Sequence, residues 1–145
     1  MRILVHRVKS ASVFVDNLLV GHCEKGLMVY SCFKKGDSIK EVEYLAKKAA
    51  NLRIFEDENG VMNKSILDIG GSILSISQFT LYADASNGNR PSYIKALNGP
   101  EAKELYNIFC EKLNGYTHTE TGKFGSDMKI EAILDGPITI TIDSK

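Results

Sequence analysis

The stretch "SQFTL" (residues 77–81) brings the hydroxyls of Ser77 and Thr80 and the amide of Gln78 to the end of a strand-like run that leads into a loop. Strand ends beside loops are common places for binding and catalytic sites. A hydroxyl nucleophile also needs a base within reach and a third group that orients this base. The sequence indicates no such pair, because it has no G-x-S-x-G motif and its histidines are scattered. Threonine in a strand is also more often a β-former than a nucleophile.

The second candidate is the Gly136–Pro137 pair in "LDGPIT" (residues 134–139), which lies between two stretches of alternating apolar and polar residues. An X–Pro bond is cis in about 5–6% of cases in folded proteins, and glycine before proline escapes much of the usual steric restriction. A cis bond here would present both carbonyl oxygens on one side of a rigid tip, as two hydrogen-bond acceptors. The alternative is an inert hairpin loop, and the residues alone leave both interpretations open.

The elements that position these residues are mainly strands. Period-2 alternation and flanking turn residues predict them. Strands are expected at residues 2–8, 12–16, 18–23, 26–33, 52–55, 72–82, 128–134 and 138–143. The last two stretches, separated by "DGP", predict an antiparallel hairpin.

Two amphipathic helices complete the predicted elements. The first begins at an S-x-x-E capping box formed by Ser38 and Glu41. The second has Pro100 in its first turn and Gly115 at its end. Together the patterns predict a single α+β domain over residues 1–145, with mostly antiparallel, barrel-like strands and two main helices.

The composition limits the classes of function. The length of 145 residues suits one domain, and 43% hydrophobic and 25% charged residues are ordinary for a soluble globular protein. No apolar run approaches the roughly 20 residues of a membrane helix, and the amino-terminal stretch lacks a signal-peptide pattern, so we expect a cytoplasmic location. The cysteines form no C-x-x-C pair and predict apolar packing rather than a disulfide or zinc site. Because 18 basic residues balance 18 acidic ones, any nucleic-acid contact should be small and local.

A series of motifs extends from the middle of the chain to its end. They are "NLRIFED" followed by "MN", then "GGSILSISQFTLYAD", "RPS", "TGKFGSDM" and "DGPIT". In this order they make the chain resemble the D-aminoacyl-tRNA deacylases, and Arg7 in "VHRV" extends the resemblance towards the first residues. The resemblance implies a homodimeric hydrolase that cleaves the ester between a D-amino acid, or glycine, and the 3′-terminal adenosine of tRNA, as chirality proofreading in translation. It implies no cofactor and no metal, and neither DNA nor a membrane is an expected partner.

The resemblance also implies a role for the glycine–proline pair. Gly136 and Pro137 would form a cis tip that reaches into the active site of the partner subunit, and Arg7 would help to hold this tip. The parallel carbonyls would occupy the space that an L side chain needs, so that selection acts by exclusion. The ester of glycine, which has no side chain, would then be hydrolysed as well.

For the catalytic site, the resemblance implies an oxyanion hole made of backbone N–H groups in the "SQFT" stretch. A water would attack the ester, helped by the 2′-hydroxyl of the adenosine. Phe124 would stack on the terminal adenine and Met128 would line the pocket. The matching residues of the stretch are Ser77, Gln78, Phe79 and Thr80.

Two features depart from the family's pattern. Leu134 replaces the usual asparagine before "DGP", and the loop at residues 85–92 is less basic than is common.

Two other functions stay open at this level. One is a related deacylase that clears a mischarged L-aminoacyl-tRNA, and the other is a nucleic-acid-binding module without catalysis.

Overall fold

The computed structural model describes residues 1–145. Its first strand, β1, spans Arg2–Val15 without interruption. The sequence predicted two strands here, because Lys9 and Ser10 break the apolar alternation. One strand forms because β1 has partners along its whole length, and these paired backbone groups outweigh the local interruption.

The other elements follow in chain order. They are β2 (Leu18–Cys23), β3 (Gly26–Cys32), α1 (Ile39–Ala50), β4 (Phe55–Glu56), β5 (Met62–Lys64), α2 (Ile66–Ile69), β6 (Ser72–Ser77), a 3-10 turn (Phe79–Tyr82), α3 (Gly99–Asn114), β7 (Thr119–Thr121) and β8 (Lys129–Asp143). No helix combines the length and apolar composition that crossing a membrane requires. The strand predicted at residues 52–55 is reduced to β4, which pairs only with β5.

The main sheet has six strands in the order β2-β1-β3-β6-β7, with β8 paired to the other edge of β1. It curls until β7 approaches β2. The approach is so close that a Cβ on Gly21 would lie 2.6 Å from the carbonyl oxygen of Thr121, so only glycine fits there. The backbone N–H of His22 also donates to Glu120 Oε2 at 2.7 Å. The expected barrel-like α+β domain is thus confirmed.

Two strand pairings, β3–β6 and β6–β7, are parallel. Parallel neighbours need long crossover connections, and α1 and α3 lie in these two connections. The capping box of Ser38 and Glu41 is present at the start of α1, as predicted. Both helices bury their apolar stripes against one another and the sheet in a single core. The parallel arrangement brings the ends of β3 and β6 together.

The predicted hairpin at residues 128–143 is wrong, because β8 is one long strand that pairs with β1 on both sides of the glycine–proline pair. Thr139 pairs with His6, and Leu134 pairs with Val8. Residues 135–138 therefore lie opposite the single residue Arg7 and form a bulge. The glycine–proline pair is a protrusion from the middle of the strand rather than a turn between two strands.

The strand predicted at residues 72–82 is also too long. β6 ends at Ser77, and residues 79–82 form a 3-10 turn. The last ladder hydrogen bond runs from the N–H of Gln78 to the carbonyl of Ser31 at 2.8 Å. Beyond it the backbone bonds to itself, since the N–H of Ala83 donates to the carbonyl of Thr80 at 2.9 Å.

Candidate functional site

A cavity of about 540 Å³ opens at the ends of β3 and β6. The start of α3 and the loop between β7 and β8 complete its walls. The sequence-predicted site residues that line it are Ser77, Gln78, Phe79, Phe124 and Met128. The structure thus brings together two motifs, "SQFTL" and "TGKFGSDM", that lie more than forty residues apart in the chain.

The lining of this cavity is half apolar and has a single charged residue, Asp127. It contains no lysine, arginine or histidine. A cavity of this size and character suits a small organic group, such as a ring with a short side chain. It has no cation with which to hold a phosphate.

The other predicted residues do not line this cavity. Thr80 is half-buried, and its Oγ1 lies 2.5 Å from Gln78 Nε2, so the two side chains hydrogen-bond to each other. Arg7, Gly136 and Pro137 lie together at the bulge of β8. The predicted residues therefore form two separate groups within one chain.

Two residues of the cavity, Ser31 and Cys32, were not predicted from the sequence. Ser31 is only 1% exposed, and its Oγ has no hydrogen-bond partner in the chain. Cys32 Sγ donates to the carbonyl of Phe79 at 3.2 Å and holds the 3-10 turn against β3. Burial raises the pKa of the Cys32 thiol to about 11, so it is neutral at pH 7 and is no thiolate nucleophile. The position of these residues beside "SQFTL" follows from the parallel pairing of Ser31 with Ser77, and no local sequence pattern indicates this pairing.

Phe124 and Met128 each owe their position to a neighbour. The ring of Phe124 packs against Tyr106, with ring centroids 5.7 Å apart and an interplanar angle of 41°. The Tyr106 hydroxyl in turn donates to the carbonyl of Ser75 at 2.8 Å. A Cβ on Gly122 would lie 2.6 Å from Met128 Sδ, so the absence of a side chain at Gly122 makes room for the methionine. Both site residues are half-buried and keep a surface towards the cavity.

The backbone N–H groups beside the cavity differ in availability. Gln78 N–H is used in the bond to Ser31, and Leu81 N–H donates to the carbonyl of Gln78 at 3.3 Å. Phe79 and Thr80 begin the 3-10 turn, where the first N–H groups of a helical turn have no partner within it. These two groups are the candidate donors to a negatively charged oxygen.

The bulge of β8 is held by a buried arginine. The peptide bond between Gly136 and Pro137 is cis, as the sequence interpretation expected, and both residues are exposed. Arg7 is only 7% exposed. Its Nε donates to the carbonyl of Asp135 at 3.2 Å and also lies 3.2 Å from the Asp135 carboxylate. Its Nη1 donates to the carbonyl of Ile54 at 2.7 Å. One guanidinium thereby joins the bulge to the segment that precedes β4.

A chain of polar side chains on β1, on β2 and directly after β2 resembles a catalytic triad but lies away from the cavity. Ser12 Oγ is 2.9 Å from His22 Nδ1, and His22 Nε2 is 2.9 Å from Glu24 Oε1. None of these residues lines the cavity, and Glu24 is exposed. The chain is a surface network that links two neighbouring strands. No group of three or more His, Cys, Asp or Glu side chains is placed to hold a metal ion.

Comparison with known proteins gives a consistent result. The family model described as D-Tyr-tRNA(Tyr) deacylase matches residues 4–143. The chain is 50% identical over 149 residues to a D-aminoacyl-tRNA deacylase of Clostridium novyi (strain NT), and 51% identical over 146 residues to one of Fervidobacterium nodosum. Each alignment covers 100% of this chain and 98% of the relative.

Two solved structures share the fold. The structure of a c-Myc DNA unwinding element binding protein superposes with a TM-score of 0.94 and 36% identity, covering 100% of this chain and 99% of that one. A probable eukaryotic D-amino acid tRNA deacylase superposes with a TM-score of 0.83 over 97% of both chains. At 16% identity, this second likeness supports the fold alone.

Proposed function

The chain belongs to the D-Tyr-tRNA(Tyr) deacylase family, and on this premise we propose that it hydrolyses the ester between a D-amino acid, or glycine, and the 3′-terminal adenosine of tRNA while it rejects L-aminoacyl-tRNA. The observation that carries the proposal is the single cavity that collects "SQF", Phe124 and Met128. Its size suits a nucleoside with a short attached acyl group. A substrate of this kind places the activity in the cytoplasm, where tRNA is aminoacylated.

In this proposal the terminal adenine stacks on Phe124. Stacking of a base on an aromatic ring contributes about 1–3 kcal/mol and needs no specific hydrogen bonds. Tyr106 supports the ring from behind, since it packs against Phe124 and is itself fixed through Ser75. Met128 fills the adjoining wall, where its flexible side chain can adapt to the ligand.

The ester carbonyl would lie against the start of the 3-10 turn. The free N–H groups of Phe79 and Thr80 are the donors that we assign to the oxyanion, whereas that of Gln78 is already bonded to Ser31. A water attacks the carbonyl carbon, the C–O bond to the adenosine 3′-oxygen breaks, and that oxygen takes up the proton. The neighbouring 2′-hydroxyl of the substrate assists this transfer. A preorganised oxyanion donor lowers the barrier by about 2.7–4 kcal/mol in acyl-transfer enzymes.

We assign the discrimination between D and L substrates to Gly136 and Pro137 of a partner subunit in a homodimer. The pair is exposed and does not line the cavity of its own chain, as a tip that serves another site would be. Two apolar residues beside it, Ile133 and Leu134, are 59% and 44% exposed, which is typical of a surface that is covered in an assembly. The leucine before "DGP" thus supports association rather than a hydrogen bond.

The proposal is tested by incubating the purified protein with D-tyrosyl-tRNA and, separately, with L-tyrosyl-tRNA. We expect rapid release of D-tyrosine and no release of L-tyrosine above the spontaneous rate. Preferential hydrolysis of the L ester would instead support a deacylase for mischarged tRNA. Binding of tRNA without release of either amino acid would support a nucleic-acid-binding module. The name of one structural relative, the c-Myc DNA unwinding element binding protein, states only that this relative binds a DNA element.

Thr80→Ala is expected to retain activity within about tenfold of the parent, because a water rather than the hydroxyl attacks the ester and a positioned proton-transfer group contributes more than this. The Thr80 hydroxyl accepts a hydrogen bond from Gln78 Nε2, and the backbone N–H that we assign to the oxyanion remains in the variant. Single-turnover hydrolysis of D-tyrosyl-tRNA measures the effect. A trapped acyl ester on Thr80, or loss of turnover with tRNA binding intact, would instead identify Thr80 as the nucleophile.

A further inference from the structure

We propose that a second, basic cleft beside the cavity binds the phosphates of the unpaired 3′ strand of tRNA that immediately precede the terminal adenosine. The inference rests on the proposed function and extends the same site. The cleft has a volume of about 550 Å³ and combines four basic side chains with one carboxylate. Its basic residues are Arg2, Lys34, Lys35 and Lys95.

Two of these cations are free to bind an anion. Arg2 makes a bidentate ion pair with Asp143, at 2.8 and 3.0 Å, and Lys95 pairs with Asp84 at 2.9 Å. Lys34 and Lys35 are exposed, and neither side chain forms an ion pair. The cleft therefore presents about two uncompensated positive charges, in a chain whose net charge is zero.

The cleft and the cavity are two sides of one wall. Three segments of the chain each contribute a residue to the cavity and another, one to three positions away, to the cleft. The pairs are Phe33 with Lys34, Phe79 with Tyr82, and Leu97 with Lys95. The N–H of Leu97 donates to the carbonyl of Phe33 at 2.8 Å, so two of the segments are bonded to each other. Since consecutive Cα atoms are about 3.8 Å apart, the two residues of each pair lie at most about 11 Å apart, so the cleft adjoins the cavity.

Exposed aromatic rings adjoin both spaces, since Phe79 lines the cavity and Tyr93 directly precedes Ile94 of the cleft. Phe79 is 48% exposed and Tyr93 is 38% exposed, and their rings meet edge to face at 5.1 Å. Arg2 lies over the ring of Tyr82 at 5.0 Å. A charged groove beside stacking surfaces is the usual combination by which proteins bind single-stranded nucleic acid. A nucleotide preceding the adenosine would find a stacking surface here and phosphate partners beyond it.

The chemistry of the cavity strengthens this inference. The cavity contains no cation, so the phosphate on the 5′ side of a bound adenosine must find its partner outside it. The cleft is the adjoining space that supplies one. Two free lysines fit a short single strand, whereas a long duplex would require a more basic protein.

The test compares the parent with the double variant Lys34→Gln/Lys35→Gln on two substrates, D-tyrosyl-tRNA and a D-tyrosyl ester of adenosine. We expect kcat/KM for the tRNA substrate to fall about five- to thirtyfold, mainly through KM, because each lysine loses one phosphate contact. The slope of log kcat/KM against log salt should become shallower by about 1.4, at about 0.7 per phosphate of a single strand. The adenosine ester, which has no such phosphate, should be hydrolysed at the parental rate.

The matched control is Lys47→Gln/Lys48→Gln, which removes the same charge from an exposed pair on α1 that lines neither space. It should leave both substrates unchanged. An unchanged kcat/KM and salt slope in the Lys34/Lys35 variant would overturn the inference. An equal loss on the adenosine ester would overturn it too, because the lysines would then act through the cavity.

A binding experiment separates this inference from the proposed function. A labelled RNA hairpin that ends in unpaired CCA and carries no amino acid should bind the parent more tightly than the Lys34→Gln/Lys35→Gln variant, even if no ester is hydrolysed. A blunt hairpin without the unpaired strand should bind both proteins equally weakly. If the variant loses affinity for the blunt hairpin to the same extent, the cleft does not recognise the unpaired strand.

Discussion

Gly136→Ala is expected to reduce the hydrolysis of D-tyrosyl-tRNA by about a hundredfold or more while the chain remains folded. Gly136 has φ +122°, a backbone conformation that L residues rarely adopt. An added Cβ would lie 2.9 Å from Ile138 Cγ1 and 3.1 Å from the Ile138 nitrogen. The bulge must therefore move or distort to accept the methyl group. A misplacement of about 1 Å in a catalytic arrangement can cost about a hundredfold in rate.

A matched control is Gly88→Ala, which makes the same substitution at another glycine with positive φ (+88°). Its added Cβ would meet nothing within 4 Å, and residue 88 lies in an exposed loop outside both the cavity and the cleft. In this variant backbone strain is the only unfavourable effect, so a modest loss of stability with parental activity is expected. Single-turnover rates and thermal unfolding midpoints are measured for both variants. Comparable activity losses would show that general backbone strain, and not the position of the tip, causes the effect.

Subunit mixing tests whether the tip acts on the partner's cavity. The Gly136→Ala chain has an intact cavity but a displaced tip, and a Ser126→Trp chain has an intact tip but an obstructed cavity, because Ser126 lines it. Each chain alone should be inactive. After unfolding and refolding together, random pairing in a two-fold dimer should restore about a quarter of the parental sites. No recovery would mean that each tip serves its own chain or that the protein acts as a monomer.

The residue pattern of β8 explains why the sequence predicted the glycine–proline tip but not that the tip lies within one continuous strand. The alternating apolar residues on the two sides of "DGP", from Met128 to Leu134 and from Ile138 to Ile142, have even numbers, and only Ile133 breaks this pattern. This alternation is compatible with a hairpin and equally with one strand that carries a bulge. The choice depends on β1, which is long enough to pair with both halves, and β1 was itself predicted as two shorter strands. A turn signal within one stretch of sequence does not report whether a distant strand spans it.

The cavity shows the same division between local and distant information. "SQFT" and "KFGSDM" were predicted as site stretches from their motifs, whereas Ser31 and Cys32 follow an ordinary strand pattern. Their role emerges only from the parallel pairing of β3 and β6, two strands that lie forty residues apart. The two long helices, α1 and α3, were predicted best, because the capping box and the 3.6-residue periodicity are local features. The 3-10 turn was missed because residues 79–82 continue the β-forming composition of β6 and turn only where the ladder ends.

Arg7→Met is expected to destabilise the chain by about 2–5 kcal/mol and to lower the activity by at least about tenfold. The guanidinium is buried and donates to the carbonyls of Asp135 and Ile54, which would lose this partner. Methionine has a similar length but no donor, so the bulge would keep its packing and lose its anchor. Because Asp135 directly precedes the tip, we expect selectivity to suffer along with rate.

Urea unfolding measures the stability of each variant. The readout that separates anchoring from stability is the ratio of the D-tyrosyl-tRNA and L-tyrosyl-tRNA hydrolysis rates, measured under conditions in which each variant is folded. Arg7→Lys keeps the charge but not the planar fork that reaches two carbonyls, so its ratio should lie between those of the parent and Arg7→Met. Arg53→Met is the control, because Arg53 is exposed and its hydrogen bonds go to Asn63. It should change the stability by less than about 1 kcal/mol and leave the ratio unchanged. An Arg7→Met protein that is destabilised but still rejects the L ester as strictly as the parent would show that the arginine supports the fold and does not position the tip.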